Sequence, residues 1–274
     1  MRGITSGSEC RAGPLPRIEH TMVDSAPSGK RPNYGIDAPG VVQTMTLVGV
    51  SAIAAGGISW LLLRDSSPVV ASMLFHFGIW PGLVFLAQAG VMLWGSKYGK
   101  LRLRDRVLDR IVWRGDETVL DVGCGHGLLL IGAARRLRSG KAIGIDLWQR
   151  SDQAGNSPEA TWANARLEGV ADRIDIKDGD ARKLPFADGS FNVIVSSWAI
   201  HNIYDAPGRA QALREIVRVL KPGGQVVIVD IRHSAEYVEV LRVSGMTDVQ
   251  RSGPNFLFVI PTRTVTARKP EPAG

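Results

Sequence analysis

The chain has 274 residues, room for one full-sized domain and an appendage, and its 33 Lys and Arg against 26 Asp and Glu give a formal net charge of +7. The basic residues are not gathered on a nucleic-acid motif. Several flank two uncharged stretches, so a membrane surface is expected as partner and nucleic acid is not. Two cysteines, Cys10 and Cys124, are too few for a disulfide framework or a cysteine-rich metal site, and no metal is expected.

Residues 1–40 are rich in Gly, Pro and Ser, lack apolar periodicity and read as a disordered tail. The first apolar stretch begins only at Val41, too late for a cleaved secretory signal. No charged residue occurs from 41 to 63, and about 20 apolar residues suffice for a helix to cross the hydrocarbon core. After Arg64-Asp65-Ser66-Ser67-Pro68 a second uncharged stretch runs from 69 to 94, with Pro81 expected to bend its helix. Ala52-x-x-x-Gly56 and Gly78-x-x-x-Gly82 would let the two helices approach closely, although small residues are frequent in such segments anyway. Residues 41–96 therefore read as a transmembrane helical hairpin. Lys30 and Arg31 precede it and Lys97, Lys100, Arg102, Arg104 and Arg106 follow it, against a single Arg64 in the loop. That bias places both ends, and the domain beyond, on the cytoplasmic side of a cytoplasmic membrane.

In 97–115, Leu101, Val107, Leu108, Ile111 and Val112 alternate with cations, which suits a basic amphipathic juxtamembrane helix or the first helix of the following domain. From 116 to 268 strand-like and helix-like runs alternate. Strands are expected at 118–122, 142–146, 174–177, 192–196 and 225–230, with helices at 127–137, from Ser157-Pro158-Glu159 onward, and at 208–220, where Pro222-Gly223-Gly224 breaks off the last one. A helix at 235–244 and an antiparallel edge pair at 247–251 and 263–268 close the domain, leaving 269–274 as a tail. The predicted class is α/β, a mostly parallel sheet with helices on both faces.

Ligands of such a sheet sit beyond the carboxyl ends of its strands. The first strand runs into Asp121-Val122-Gly123-Cys124-Gly125-His126-Gly127, whose glycines remove the side chains that would hold a ligand off the backbone. Asp146 closes the second strand, where an acid can accept from both hydroxyls of a ribose. Asp178-Gly179-Asp180-Ala181 follows the third, and Asp180 there can accept from an adenine amino group. Each acid taken singly also suits an ordinary turn.

In these motifs, together with Leu184-Pro185-Phe186, Ser190-Phe191-Asn192-Val193-Ile194 and Arg218-Val219-Leu220-Lys221-Pro222-Gly223-Gly224, residues 105–268 resemble the class I S-adenosylmethionine-dependent methyltransferases, and within them the branch that includes ubiquinone and menaquinone C-methyltransferases. Asn192 departs from the aspartate common in that family. The resemblance implies a Rossmann-like seven-stranded sheet with the final strand antiparallel, and S-adenosylmethionine as cofactor. It also implies roles by position. Asp121, Gly123, Cys124, Gly125 and Gly127 would hold the methionine part, Asp146 the ribose, and Asp180 with Ala181 the adenine; Leu147 and Trp148 would give apolar contact, and Ser196, Ser197 and Trp198 would lie near the sulfonium.

The reaction expected is methyl transfer to a small, lipophilic acceptor such as a quinol, a lipid or a hydrophobic metabolite. A base is required only if that acceptor must lose a proton. His201, in Trp198-Ala199-Ile200-His201-Asn202, is the candidate catalytic residue, and its position equally suits a histidine that shapes the pocket or caps a turn. Two other classes stay open at this point: a nicotinamide-dependent oxidoreductase, against which the missing Gly-x-Gly-x-x-Gly spacing speaks, and a non-catalytic cofactor-binding membrane protein.

Overall fold

The computed structural model describes residues 31–149, 155–257 and 260–272. Two long apolar helices come first, α1 (Pro39–Leu63) and α2 (Pro68–Trp94), both of a length and composition able to cross a membrane. They pack through glycines. A Cβ on Gly56 would stand 3.1 Å from the Gly78 Cα, and one on Gly49 2.9 Å from the Gly82 carbonyl oxygen, so any larger side chain would force the helices apart. Gly57 and Gly90, by contrast, have open space around them. The expected close approach is therefore present at Gly56, Gly78 and Gly82, with Gly49 added to it. Pro81 lies inside α2, and the helix continues through it to Trp94.

After Trp94 the chain does not leave the helix. It widens into a π-turn (Gly95–Gly99) and proceeds as α3 (Lys100–Leu108), ending seven residues short of the expected 115. Leu103, Val107 and Leu108 of α3 are buried in the core of the domain. The helix lies so close over α4 (Leu128–Ala134) that a Cβ on Gly132 would meet Arg104 Cδ at 2.6 Å and Leu108 Cδ1 at 2.7 Å. Of the two roles open to this segment, the first helix of the domain is the one its inner face fulfils.

The sheet carries the order β3-β2-β1-β4-β5-β7-β6. It is built from β1 (Thr118–Val122), β2 (Lys141–Asp146), β3 (Ile174–Asp178), β4 (Phe191–Ser197), β5 (Leu220–Asp230), β6 (Thr247–Arg251) and β7 (Arg263–Arg268). The first five pair in parallel, and β7 runs antiparallel between β5 and β6, which is the edge pair expected from their short connection. Helices α5 (Pro158–Leu167), α6 (Ala206–Val219) and α7 (Ser234–Val243) complete the layers around two apolar cores. Ser157 caps α5 as its sequence indicates, accepting from the Ala160 N–H at 3.3 Å with proline at the first helical position.

Two expectations need correction. Pro222-Gly223-Gly224 does not separate helix from strand, because β5 already begins at Leu220. The Gly223 N–H donates to the Lys269 carbonyl, and the Lys269 N–H donates to the Gly224 carbonyl, each at 2.9 Å. Lys269 is consequently no tail residue. Its ammonium donates to the carbonyls of Val217 and Leu220, satisfying the C-terminal end of α6.

The second correction concerns 31–40. Residues 1–30 lie outside the described residues, but 31–38 form a strap laid on the domain. The Asn33 N–H donates to Asn164 Oδ1 at 2.8 Å, the Tyr34 hydroxyl donates to Glu168, and Tyr34 is 6 % exposed. The ammonium of Lys100 is buried against the strap and donates to the carbonyls of Tyr34 (2.7 Å) and Gly35 (2.6 Å) and to Asp37 Oδ2 (3.0 Å). All three of its donors are thereby used.

Candidate functional site

The carboxyl ends of β1, β2 and β3, with the turn after β4, surround a cleft of ≈ 290 Å³. Its walls include Gly123 from the first turn, Asp146 and Leu147 from the second, Asp180 and Ala181 from the third, and Ala199 after β4. On the other side of the glycine turn lies a smaller recess of ≈ 80 Å³, walled by Gly123 to His126, Ser197 and Trp198 and roofed by the strap through Tyr34 and Asp37. Gly123 belongs to both. Its φ of +73° is in the left-handed region, and a Cβ there would collide with the Ala199 Cβ, so neither backbone shape nor space admits another residue.

Asp146 ties the two turns together. Its Oδ2 accepts from the Gly125 N–H at 2.8 Å, and its Oδ1 accepts from the Trp148 N–H at 2.7 Å and from Asn156 Nδ2 at 3.3 Å. Asp180 is gripped by Arg182, whose guanidinium Nε stands 3.0 and 2.9 Å from its two oxygens. These hydrogen bonds hold its carboxyl below the ordinary aspartate range. Asp146 and Asp180 thus place two carboxyl groups on one wall, the first at the β2 end and the second at the β3 end.

The other acid sits elsewhere. Asp121 is 2 % exposed, because β1 alternation turns its side chain beneath the glycine turn. There Oδ2 accepts from the Leu130 N–H at 2.8 Å, fastening the start of α4 to β1, while Oδ1 has no hydrogen-bond partner. Burial pushes this carboxyl up to about 8; the Leu130 N–H pulls against that shift, and the charge of Asp146 adds to it. Contact between Asp121 and a ligand's methionine part is therefore not what the structure presents. It underpins the turn instead. Cys124 is buried, and burial raises its thiol well above the usual range, so it stays protonated. Ser196 is also off the wall: fully buried, its hydroxyl donates to the Val122 carbonyl at 2.8 Å and braces β4 on β1, whereas its neighbour Ser197 faces the recess. Gly125 and Gly127 are both left-handed, and Gly127 faces Thr161 and Ile131 rather than either hollow. Leu147 is half exposed at the cleft mouth.

His201 lines neither hollow. It lies in a 3₁₀ turn, Ile200–Asn202, with its Nδ1 2.6 Å from Asp230 Oδ1 but not along the line of a regular hydrogen bond. Asp230 is buried and accepts from the Tyr237 hydroxyl (3.0 Å) and from the backbone N–H groups of Ile231 (2.8 Å) and His201 (3.1 Å). Sequence reasoning missed four contributors: Arg182, Asn156, and the Tyr34 and Lys100 pair that closes the recess. Arg182 stands two residues from Asp180 and was legible as a local ion pair; the others meet the site only through tertiary folding.

A model of a family described as a methyltransferase domain matches residues 120–228. The chain is 34 % identical over 57 % of its length to methyltransferase GfsG of Streptomyces halstedii, covering 50 % of that protein. It is 33 % identical over 46 % of its length to a demethylmenaquinone methyltransferase of Lactiplantibacillus plantarum, again covering 50 % of it. The chain thus spans about half the length of these curated relatives. Among solved structures it is similar to a SAM-dependent methyltransferase from Aquifex aeolicus, with a TM-score of 0.51 and 21 % identity over 63 % of this chain and 93 % of the other. The fold is the Rossmann-like one expected, with its seven-stranded, mostly parallel sheet.

Proposed function

We propose that this chain is an S-adenosylmethionine-dependent methyltransferase, anchored in a membrane by its α1–α2 hairpin, that methylates a small lipophilic acceptor. One observation carries the reading: Asp146, Asp180 and the glycine turn, from three different strand ends, meet on a single cleft. That arrangement fits a ribose and an adenine side by side, and the recess beyond Gly123 fits a shorter polar chain continuing from them. When bound, S-adenosylmethionine supplies a methyl group already activated on a sulfonium.

The residues supply alignment. Asp146, positioned by Gly125 and Trp148, retains lone pairs for the ribose hydroxyls. Asp180, fixed by Arg182, presents an acceptor to the adenine amino group. Ala199 against Gly123 divides cleft from recess, so the reacting centre falls at the junction of the two. Holding donor and acceptor in line at near-attack distance accounts for most of such a rate enhancement. A hydroxyl acceptor would need a base for its proton, and His201, set beside Asp230 outside both hollows, does not stand at the reacting centre.

The acceptor class follows from location and from the named activity of a relative that acts on a demethylmenaquinone. A hairpin with glycines at its seam and basic residues after it holds the site where lipophilic molecules are concentrated. The test is incubation of the full chain with methyl-labelled S-adenosylmethionine and a membrane lipid extract. Label in the organic phase, absent without the protein, is expected. Label that stays in the aqueous phase refutes the lipophilic acceptor, and no transfer to any fraction refutes the activity.

A further inference from the structure

Below the end of α2, a groove of ≈ 620 Å³ separates α3 from the turn between β6 and β7. Trp94 stands at its upper end, Arg106 and Arg110 along one side, and Asn255 to Leu257 along the other. The turn is docked on the helix, because a Cβ on Gly99 would collide with the Leu257 carbonyl oxygen. Arg102, Arg106 and Arg110 follow one another at intervals of four, all exposed, and none makes an ion pair among the described residues. Several arginines elsewhere in the domain are paired with an acid, as Arg136 is with Asp109 and Arg209 with Glu236. Three unmatched cations, two on one face of α3 and Arg110 just past its end, stand beside Trp94 at 45 % and Phe256 at 65 % exposure and form a surface for an anion that carries apolar chains.

We propose that this groove binds the phosphate headgroup of an acidic bilayer lipid, with Arg106 and Arg110 on the anion and Trp94 at the level of the acyl chains. The inference rests on the membrane reading of α1 and α2. Side chains on a helix lean toward its N-terminus, which here is the direction of the bilayer. The structure displays that lean: the Arg102 guanidinium lies 5.9 Å from the centre of the Trp94 ring, although the two residues are eight apart in sequence. Arg106 is one turn further, about 6 Å along the axis, within the headgroup layer of roughly 5–7 Å on each side of the hydrocarbon core. Arg110, two residues past the end of α3, closes the far end of the groove.

The test uses the full chain in nanodiscs of phosphatidylcholine with and without phosphatidylglycerol, reading lipid retention by native mass spectrometry and membrane residence by alkaline extraction. The wild type is expected to retain phosphatidylglycerol in preference to phosphatidylcholine. Arg106→Gln with Arg110→Gln should cut that preference by about fivefold per arginine, roughly 25-fold together, without releasing the chain from the disc. Soluble glycerol phosphate at millimolar concentration should leave it unchanged. Equal retention of both lipids in a chain that resists extraction overturns the lipid site alone. Displacement by glycerol phosphate makes the groove a soluble-anion site and also overturns it. Extraction of the wild type into the aqueous phase overturns this inference and the hairpin reading together.

Discussion

Replacing Asp146 by alanine separates two things the carboxylate does. In the protein as it stands, the group accepts from Gly125 and Trp148 N–H donors at 2.8 and 2.7 Å, so its loss loosens the glycine turn. Charge-assisted hydrogen bonds contribute about 1.5–3 kcal/mol each, but the site is half open and water replaces part of that, leaving a loss of roughly 1–2 kcal/mol. For a chain of this size that is a fall in Tm of a few degrees, on the order of 2–4 °C per kcal/mol. With cofactor, two further bonds to the ribose hydroxyls disappear, and at the low end of the same range they amount to about 3 kcal/mol, or a Kd raised on the order of 100-fold. Isothermal titration with S-adenosylmethionine or its demethylated product, beside thermal melts of the same preparations, reads both quantities. A Tm that drops as expected while the Kd stays within about threefold of wild type would falsify the ribose assignment and leave Asp146 a brace.

Asp121, held up to about 8 by burial, keeps its proton in the native state from pH 4 to 8, whereas the unfolded chain gives it up near 3.8. Stability contributed there is complete below about pH 4 and drains away as pH rises toward 8; Asp121→Asn, which keeps the acceptor for Leu130, should flatten that slope in melts at pH 5 and pH 8, and an unchanged slope would refute the buried neutral acid. The Asp37 N–H donates to Ser96 Oγ at 3.2 Å, so the two ends of the hairpin meet. Excising 39–94 and joining the ends with a short Gly-Ser link should therefore give a soluble domain that binds cofactor. Simple truncation at residue 97 removes all three acceptors of Lys100, and that fragment should melt lower; equal melting temperatures would show the strap to be dispensable.

Strands β1, β2 and β4 were legible because each is a short, mainly apolar run that leads into a turn. β6 and β7 fall at the residues their alternation indicates, and the acids after β2 and β3 reach the cleft because strand ends do. Asp121 and Ser196 were misplaced for a related reason. Both occupy strand positions whose side chains alternate into the sheet's covered faces, and motif position alone does not say which face is the inner one. The strap escaped because it has no periodicity to read. Asn33 and Tyr34 are held by polar contacts to Asn164 and Glu168, more than 130 residues away, and such partners leave no local trace. Lys100 looked like one more surface cation for the same reason, and the carbonyls of Tyr34 and Gly35 with the Asp37 carboxylate explain its burial.

The passage from α2 through the π-turn into α3 without a break makes the connection a strut, where a flexible leash would have been the simpler way to tether an enzyme. A leash lets a catalytic head tumble and sample every height above the lipid. With the hairpin in a bilayer as proposed, a strut would fix azimuth and height, so the mouth of the cleft would face one way and an acceptor would reach it by lateral diffusion in two dimensions. Because each residue of helix advances about 1.5 Å and turns by about 100°, even one residue more or fewer between Trp94 and Lys100 would swing the head through a quarter turn. The length of that splice is thus under a constraint of phase, as a key is in its lock.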